Sequence, residues 1–193
     1  MSFWTKLKPD FFADSIYQID GAWLASRNIS ALIIDVDNTI MARDARLPGQ
    51  ALRAWTSGLK TADIEMLAVS NNWTERVKKI AEALDLPLIA PAAKPFGPVF
   101  KRAIAKLGRS AEATAIVGDQ LFTDILGGNR AGIRTIMVAP VSDVDMLHTK
   151  VFRVFEKALL KRLSGRVLVD GHWQDVAKPG GRREAGGGSG GGH

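Results

Sequence analysis

The 193-residue chain contains no cysteine. That excludes disulfides, thiolate zinc sites and any reaction that needs a Cys nucleophile, thiol-based phosphatases included. Histidine is nearly as scarce: His148, His172 and the terminal His193 are scattered, which argues against a His-rich metal centre. No run approaches the roughly 18 continuous apolar residues needed to span a bilayer. The N-terminus, Met1 to Pro9, lacks the apolar core of a secretory signal, so a cytoplasmic location is expected. No G-x-x-x-x-G-K-[ST] loop is present, nor a G-x-G-x-x-G behind a strand, which removes the commonest nucleotide-phosphate cradles.

What is present is an ordinary globular composition, 46 % hydrophobic, with a net charge of +6. The positive balance permits attraction to phosphates, anionic lipid or nucleic acid, and by itself names no partner. Part of it lies in the tail, where Lys178, Arg182 and Arg183 face a single acid, Glu184.

From Ala31 to about Pro140 apolar runs alternate with segments of helical spacing. Strands are expected at Ala31–Ile34, Met66–Val69, Pro87–Ala90, Thr114–Val117 and Thr135–Val138. Helices are expected at Gly49–Lys60, Thr74–Leu84, Phe96–Leu107 and Asp124–Ala131. This alternation predicts an α/β fold with a doubly wound parallel sheet. The connections are too short to hold an inserted cap domain.

Residues 1–30 read as an N-terminal lead-in with an apolar stripe of Phe3, Trp4, Leu7, Phe11 and Phe12. The core is expected over 31–165, ending in an amphipathic helix at 144–164. There Phe152, Phe155, Leu159 and Leu163 share one face, and Lys150, Arg153, Lys157 and Lys161 another. Such a helix either docks on the core with a solvated basic face or meets an anionic membrane surface. Asp170-Gly171 predicts a hairpin turn within 166–177. The Gly-rich stretch 178–193 is expected to be disordered.

Chemistry concentrates where the strands end. Asp35-Val36-Asp37-Asn38-Thr39 follows the apolar run Ala31–Ile34. Two carboxylates at the end of a buried strand are costly unless paired or metal-bound. Taken alone, D-x-D-x-T is a weak pattern, because Asp-rich strand ends are common turns. Ser70-Asn71-Asn72 follows the second strand and could be a helix cap. Lys94, in Ala93-Lys94-Pro95, could be a surface lysine, and Gly118-Asp119 a turn. All four in order, each behind a strand, converge on one crevice of a parallel sheet. Asp35, Asp37, Asp119 and Asp124 would repel there, which calls for a cation. Mg²⁺ suits oxygen ligands together with a substrate phosphate. In this reading Asp35 attacks phosphorus, Asp37 serves as acid and base, and Ser70, Asn71 and Lys94 bind phosphate.

These motifs resemble the four of the haloacid dehalogenase (HAD) superfamily of phosphatases. Asp14-Ser15-Ile16-Tyr17, Val69 to Asn72, Ala93-Lys94-Pro95 and Gly118 to Arg130 are similar to its YqeG-type branch. The resemblance implies a capless Rossmann-like fold of subclass IIIA. It also implies Asp35 as nucleophile and Asp37 as acid/base. Mg²⁺ would be held by Asp35, the Asp37 carbonyl and Asp119, with Thr39 and Asp124 in support. Relatives of the branch are phosphatidylglycerophosphate phosphatases, which implies a membrane phospholipid substrate, a role in phospholipid biosynthesis and peripheral contact with an anionic membrane. A soluble phosphate ester or phosphorylated macromolecule is the alternative substrate. A non-catalytic basic module binding RNA is a remote alternative, and nucleic acid is not expected as a partner. Met41-Ala42-Arg43-Asp44 departs from the branch in lacking an aromatic after the first motif, and this loop is expected to face substrate. Oligomeric state is not legible.

Overall fold

The computed structural model describes residues 6–141, together with the backbone of 166–169 and 172–175. The helix expected at 144–164 and the tail 178–193 lie outside the described residues.

Six strands form an all-parallel sheet: β1 (Phe11–Ala13), β2 (Ala31–Asp35), β3 (Glu65–Val69), β4 (Leu88–Ile89), β5 (Thr114–Gly118) and β6 (Arg134–Val138). Two further strands are β7 (Arg166–Val169) and β8 (His172–Asp175); the Asp170-Gly171 turn expected between them lies outside the described residues. β7 runs parallel to β1, and β8 returns antiparallel at the edge. The sheet order is β4-β3-β2-β5-β6-β1-β7-β8.

β2 and β5 lie at the centre and every residue in both is buried. Strands covered on both faces read as continuous apolar runs, which is why these two stood out in the sequence. Their side chains alternate between two cores. Leu32 and Ile34 point to one face, where α2 (Gln50–Thr61) contributes Leu52 and Leu59 and α3 (Glu75–Ala83) contributes Val77 and Ile80. Ile33 and Ile116 point to the other, against Val99, Phe100, Ala103 and Leu107 of α4 (Gly97–Leu107). The doubly wound architecture follows from this two-sided burial.

Residues 6–30 of the lead-in fold onto the core, and Phe3 and Trp4 lie outside the described residues. β1 pairs with β6 in the register Phe11↔Ile136, and Leu7, Ile16, Ile19, Leu24 and Ile29 are buried. Asp10 secures the entry: its backbone amide donates to the Thr135 carbonyl and its carboxylate accepts from the Thr135 amide. A short helix, α1 (Gly21–Ala25), follows, with Asp20 accepting from the backbone amide of residue 23 at its N-terminus.

The segment expected as a helix at Asp124–Ala131 starts earlier and more openly. A π-helical turn over Leu121–Ile125 leads into α5 (Leu126–Ala131). Its two glycines do not break the helix; they let it pack closely. A Cβ on Gly127 would lie 2.4 Å from the Phe100 ring, and one on Gly128 would lie 2.5 Å from Ile116. Gly127→Ala should therefore overpack the α4–α5 contact and lower stability by roughly 1–3 kcal/mol, read by urea unfolding. An unchanged midpoint would show that Phe100 yields freely.

Candidate active site

The strand order reverses between β2 and β5. From β2 the chain winds outward through β3 and β4, and from β5 it winds the other way to β6. Carboxyl ends of strands at such a switch point diverge and leave a crevice. Asp35 is the last residue of β2, Asp119 directly follows β5, and Ser70 directly follows β3.

Beyond Asp35 the chain folds back sharply. Asn38 adopts φ 68°, its amide donates to the Met41 carbonyl at 2.7 Å, and the Met41 amide donates to the Val36 carbonyl. Asn is one of the few residues that enters this left-handed region at modest cost. The reversal turns Thr39 inward. Its hydroxyl lies 3.1 Å from Asp35 Oδ2 and 2.9 Å from Asp119 Oδ1, and accepts from the Asp119 amide at 3.0 Å. One hydroxyl thus fixes the spacing between the ends of the two central strands.

Lys94 enters from the loop after β4. The Asn71 side chain holds its backbone from both sides, accepting from the Lys94 amide at 2.8 Å and donating to the Lys94 carbonyl at 3.2 Å. The ammonium donates to Asp35 Oδ1 at 2.5 Å and to Asp124 Oδ1 at 2.6 Å, and all three side chains are at most 6 % exposed. The other oxygen of Asp124 accepts from the Gln120 amide at 3.1 Å, a contact that the wide π turn permits. Gly118 makes room for this carboxylate, since a Cβ there would sit 2.3 Å from Asp124 Cγ.

Asp37 faces a separate set of partners. One of its oxygens accepts from Ser70 Oγ and Asn72 Nδ2, each at 2.9 Å, and the other accepts from Arg76 at 2.6 Å. Arg76 also donates to the Ala42 carbonyl at 2.5 Å and the Ala45 carbonyl at 2.7 Å, so it ties Asp37 to the loop that follows. Ser70 and Asn71, read from the sequence as phosphate ligands, thus hold Asp37 and the Lys94 backbone in this structure. A cleft of about 140 Å³ opens between these groups, lined by Asp35, Asp37, Arg43, Asn71, Asn72, Lys94, Gln120 and Thr123.

Arg76 carries no motif in the sequence, and Arg43 stands in the Met41–Asp44 loop expected to face substrate. Arg76 stands in the first turn of α3, where Thr74 is the cap. A cation there opposes the helix dipole unless an anion faces it, and that mismatch was the available signal.

The electrostatics divide the two acids. Asp35, Asp119 and Asp124 bring carboxylate oxygens within 4.8 Å of one another. Burial pushes Asp35 up to about 8; the neighbouring carboxylates of Asp124 and Asp119 add to the rise, and Lys94 opposes it. Burial would lower Lys94, yet Asp124 and Asp35 hold it above its ordinary value, firmly protonated. For Asp37 burial also acts upward, but hydrogen bonds from Asn72, Ser70 and Arg76 outweigh it and keep the carboxyl below its usual range. Three buried carboxylates against one ammonium leave excess negative charge on hard oxygen donors. That donor set fits a divalent cation.

A linkage prediction follows from Asp35. Its contribution to stability is complete below the unfolded value of 3.8 and is lost as pH rises toward about 8. A bound cation favours the carboxylate and reverses that loss. The melting temperature of chelator-treated protein should therefore rise on adding a divalent cation, with a larger rise at about pH 8 than at about pH 5. An equal shift at both would place the cation elsewhere.

A HAD-hydrolase-like family model matches residues 91–148. The probable phosphatase YqeG of Bacillus subtilis (strain 168) is 39 % identical over 155 residues, covering 80 % of this chain and 90 % of that protein. The ribonucleotide monophosphatase NagD of Escherichia coli (strain K12) is 43 % identical over a shorter stretch of 61 residues, 31 % of this chain and 24 % of NagD. Among solved structures, the cobalt-bound deoxy-D-mannose-octulosonate 8-phosphate phosphatase of Haemophilus influenzae aligns with a TM-score of 0.49 at 17 % identity, over 70 % of this chain and 89 % of that one. Given the extent of the identity to YqeG, the chain belongs to the HAD superfamily of phosphatases, on the YqeG branch.

Proposed function

We propose that the chain hydrolyses phosphomonoesters through an aspartyl-phosphate on Asp35, with Asp37 as acid and base. The observation that carries this reading is the separation of the two acids. Asp35 sits against Lys94 in the acidic trio, while Asp37, two residues on, is held by Ser70, Asn72 and Arg76.

An Asp35 carboxylate oxygen forms a bond to phosphorus, and the bond from phosphorus to the substrate's alcohol oxygen breaks. Asp37 gives that oxygen its proton. Water then attacks the phosphorus of the aspartyl-phosphate, its proton passes to Asp37, and phosphate leaves with Asp35 restored. Lys94 neutralises charge on the transferring group. Ser70 turns from Asp37 to a phosphate oxygen when substrate enters. Asp37 then loses one of the hydrogen bonds that keep it ionised, and its proton affinity rises toward what an acid needs. Mg²⁺, held by Asp35, the Asp37 carbonyl and Asp119 with Thr39 and Asp124 in support, would supply further charge neutralisation at the phosphate.

The substrate we favour is phosphatidylglycerophosphate, converted to phosphatidylglycerol at a membrane surface. Support comes from exposed apolar residues on the loops that carry the site. Leu47, Trp73 and Phe96 are 65 %, 65 % and 66 % exposed. They stand on the loops that also carry Asp37, Asn72 and Lys94 respectively. Large exposed apolar residues on the loops of a polar site suit an apolar surface. The connections 36–49 and 70–74 are short, in keeping with a site without a cap. No helix among the described residues is long and apolar enough to cross a membrane. The small polar cleft favours a second reading, a soluble phosphate ester.

Asp35→Asn should abolish phosphate release from every substrate, and a chelator should do the same until Mg²⁺ is restored. Asp37→Asn should slow aspartyl-phosphate formation, read as the burst of alcohol release, by about 10²–10⁴-fold for alkyl phosphates and far less for p-nitrophenyl phosphate, because nitrophenolate leaves without a proton. Equal losses on both would remove Asp37 as the acid. For the lipid, phosphate release from phosphatidylglycerophosphate in mixed micelles should exceed that from glycerol 3-phosphate. Protein that acts on soluble esters and is inert on the lipid would leave the soluble reading.

A further inference from the structure

The geometry points to Arg43 as the residue that selects phosphomonoesters whose leaving alcohol carries a second anionic group. This rests on the assignment of Asp35 and Asp37 above. Each of the other cations at the site is already committed: Lys94 to Asp35 and Asp124, Arg76 to Asp37. Arg43 lines the same cleft, yet among the described residues it enters no salt bridge. Its Nε is buried and has no hydrogen-bond partner. A buried donor left unpaired is costly, and a guanidinium is built to grip an oxyanion through two parallel hydrogen bonds.

The position of Arg43 is built rather than incidental. Arg76 donates to the carbonyls of Ala42 and Ala45, which bracket it in the chain. The same guanidinium holds Asp37. The backbone on either side of Arg43 is thereby tied to Asp37, whereas Lys94 contacts Asp35. Asp37 serves the leaving oxygen, so the Asp37 side is where the alcohol portion of the substrate lies. Charge points the same way. Asp37 and Arg76 cancel, and a divalent cation with Lys94 offsets Asp35, Asp119 and Asp124. The charge of Arg43 is left over for the substrate.

The test is equilibrium binding of two non-hydrolysable probes, propane-1,3-bisphosphonate and propylphosphonate, to the full chain in saturating Mg²⁺. Wild type should bind the bisphosphonate about tenfold tighter. Arg43→Ala should collapse the ratio toward one, and Arg43→Lys should retain part of it. No preference in the wild type would overturn the proposal. So would equal weakening of both probes by Arg43→Ala, which would place Arg43 on the transferred phosphate or in a structural role. Melting curves of the variants confirm that the site is folded when the ratio is read. Turnover of p-nitrophenyl phosphate by Asp35→Asn is the separate arm: activity there would remove Asp35 as the nucleophile, independently of the binding ratio.

Discussion

The site is organised around one buried ammonium. Lys94 donates to Asp35 and Asp124 and is itself almost fully buried. Removing that charge would leave Asp35, Asp119 and Asp124 facing one another without compensation in a low-dielectric cleft. Much of the surrounding structure reads as provision for this contact. Asn71 grips the Lys94 backbone, the π turn aims Asp124 inward, and Gly118 gives way to its carboxylate. The cluster remains short of positive charge even so, which is the condition that makes it receptive to a divalent cation.

Only the sheet topology makes such a cluster possible. β2 and β5 are neighbours although more than seventy residues separate them in the chain, and their carboxyl ends lie at the point where the winding reverses. Burial of both sheet faces fixes the strands rigidly. Thr39, bonded to Asp35 and Asp119 at once, converts that rigidity into a fixed distance between two acids.

The two acids of the first motif then acquire different characters from their surroundings. Asp35 is pushed up by burial and by its acidic neighbours. Asp37 is held down by three hydrogen-bond donors. Neighbouring carboxylates whose proton affinities are driven apart are suited to different tasks. Arg76 links this division to specificity, because one guanidinium holds both Asp37 and the loop that presents Arg43.

Much of the fold was legible in the chain. β2, β3, β5 and β6 are continuous apolar runs because they are covered on both faces, and amphipathic spacing marked α2, α3 and α4. The acids, Ser70, Asn71 and Lys94 were also legible, since polar residues at the ends of such runs have few structural reasons to be there. β1 was not: three residues are too few to show a period, and its place between β6 and β7 is a long-range pairing. Nor did the sequence show which carboxylates gather. The residue pattern put four carboxylates, those of Asp35, Asp37, Asp119 and Asp124, at one edge. The carboxylates that meet are those of Asp35, Asp119 and Asp124, with the Asp37 side chain turned to Arg76. Sequence by itself determined the layered α/β order and the inventory of reactive groups, because hydrophobic period and residue chemistry are local. Which groups touch, which acid is raised and which lowered, and which cleft arginine keeps a buried Nε unpaired among the described residues were decided by tertiary structure. Those properties depend on distances between residues far apart in the chain.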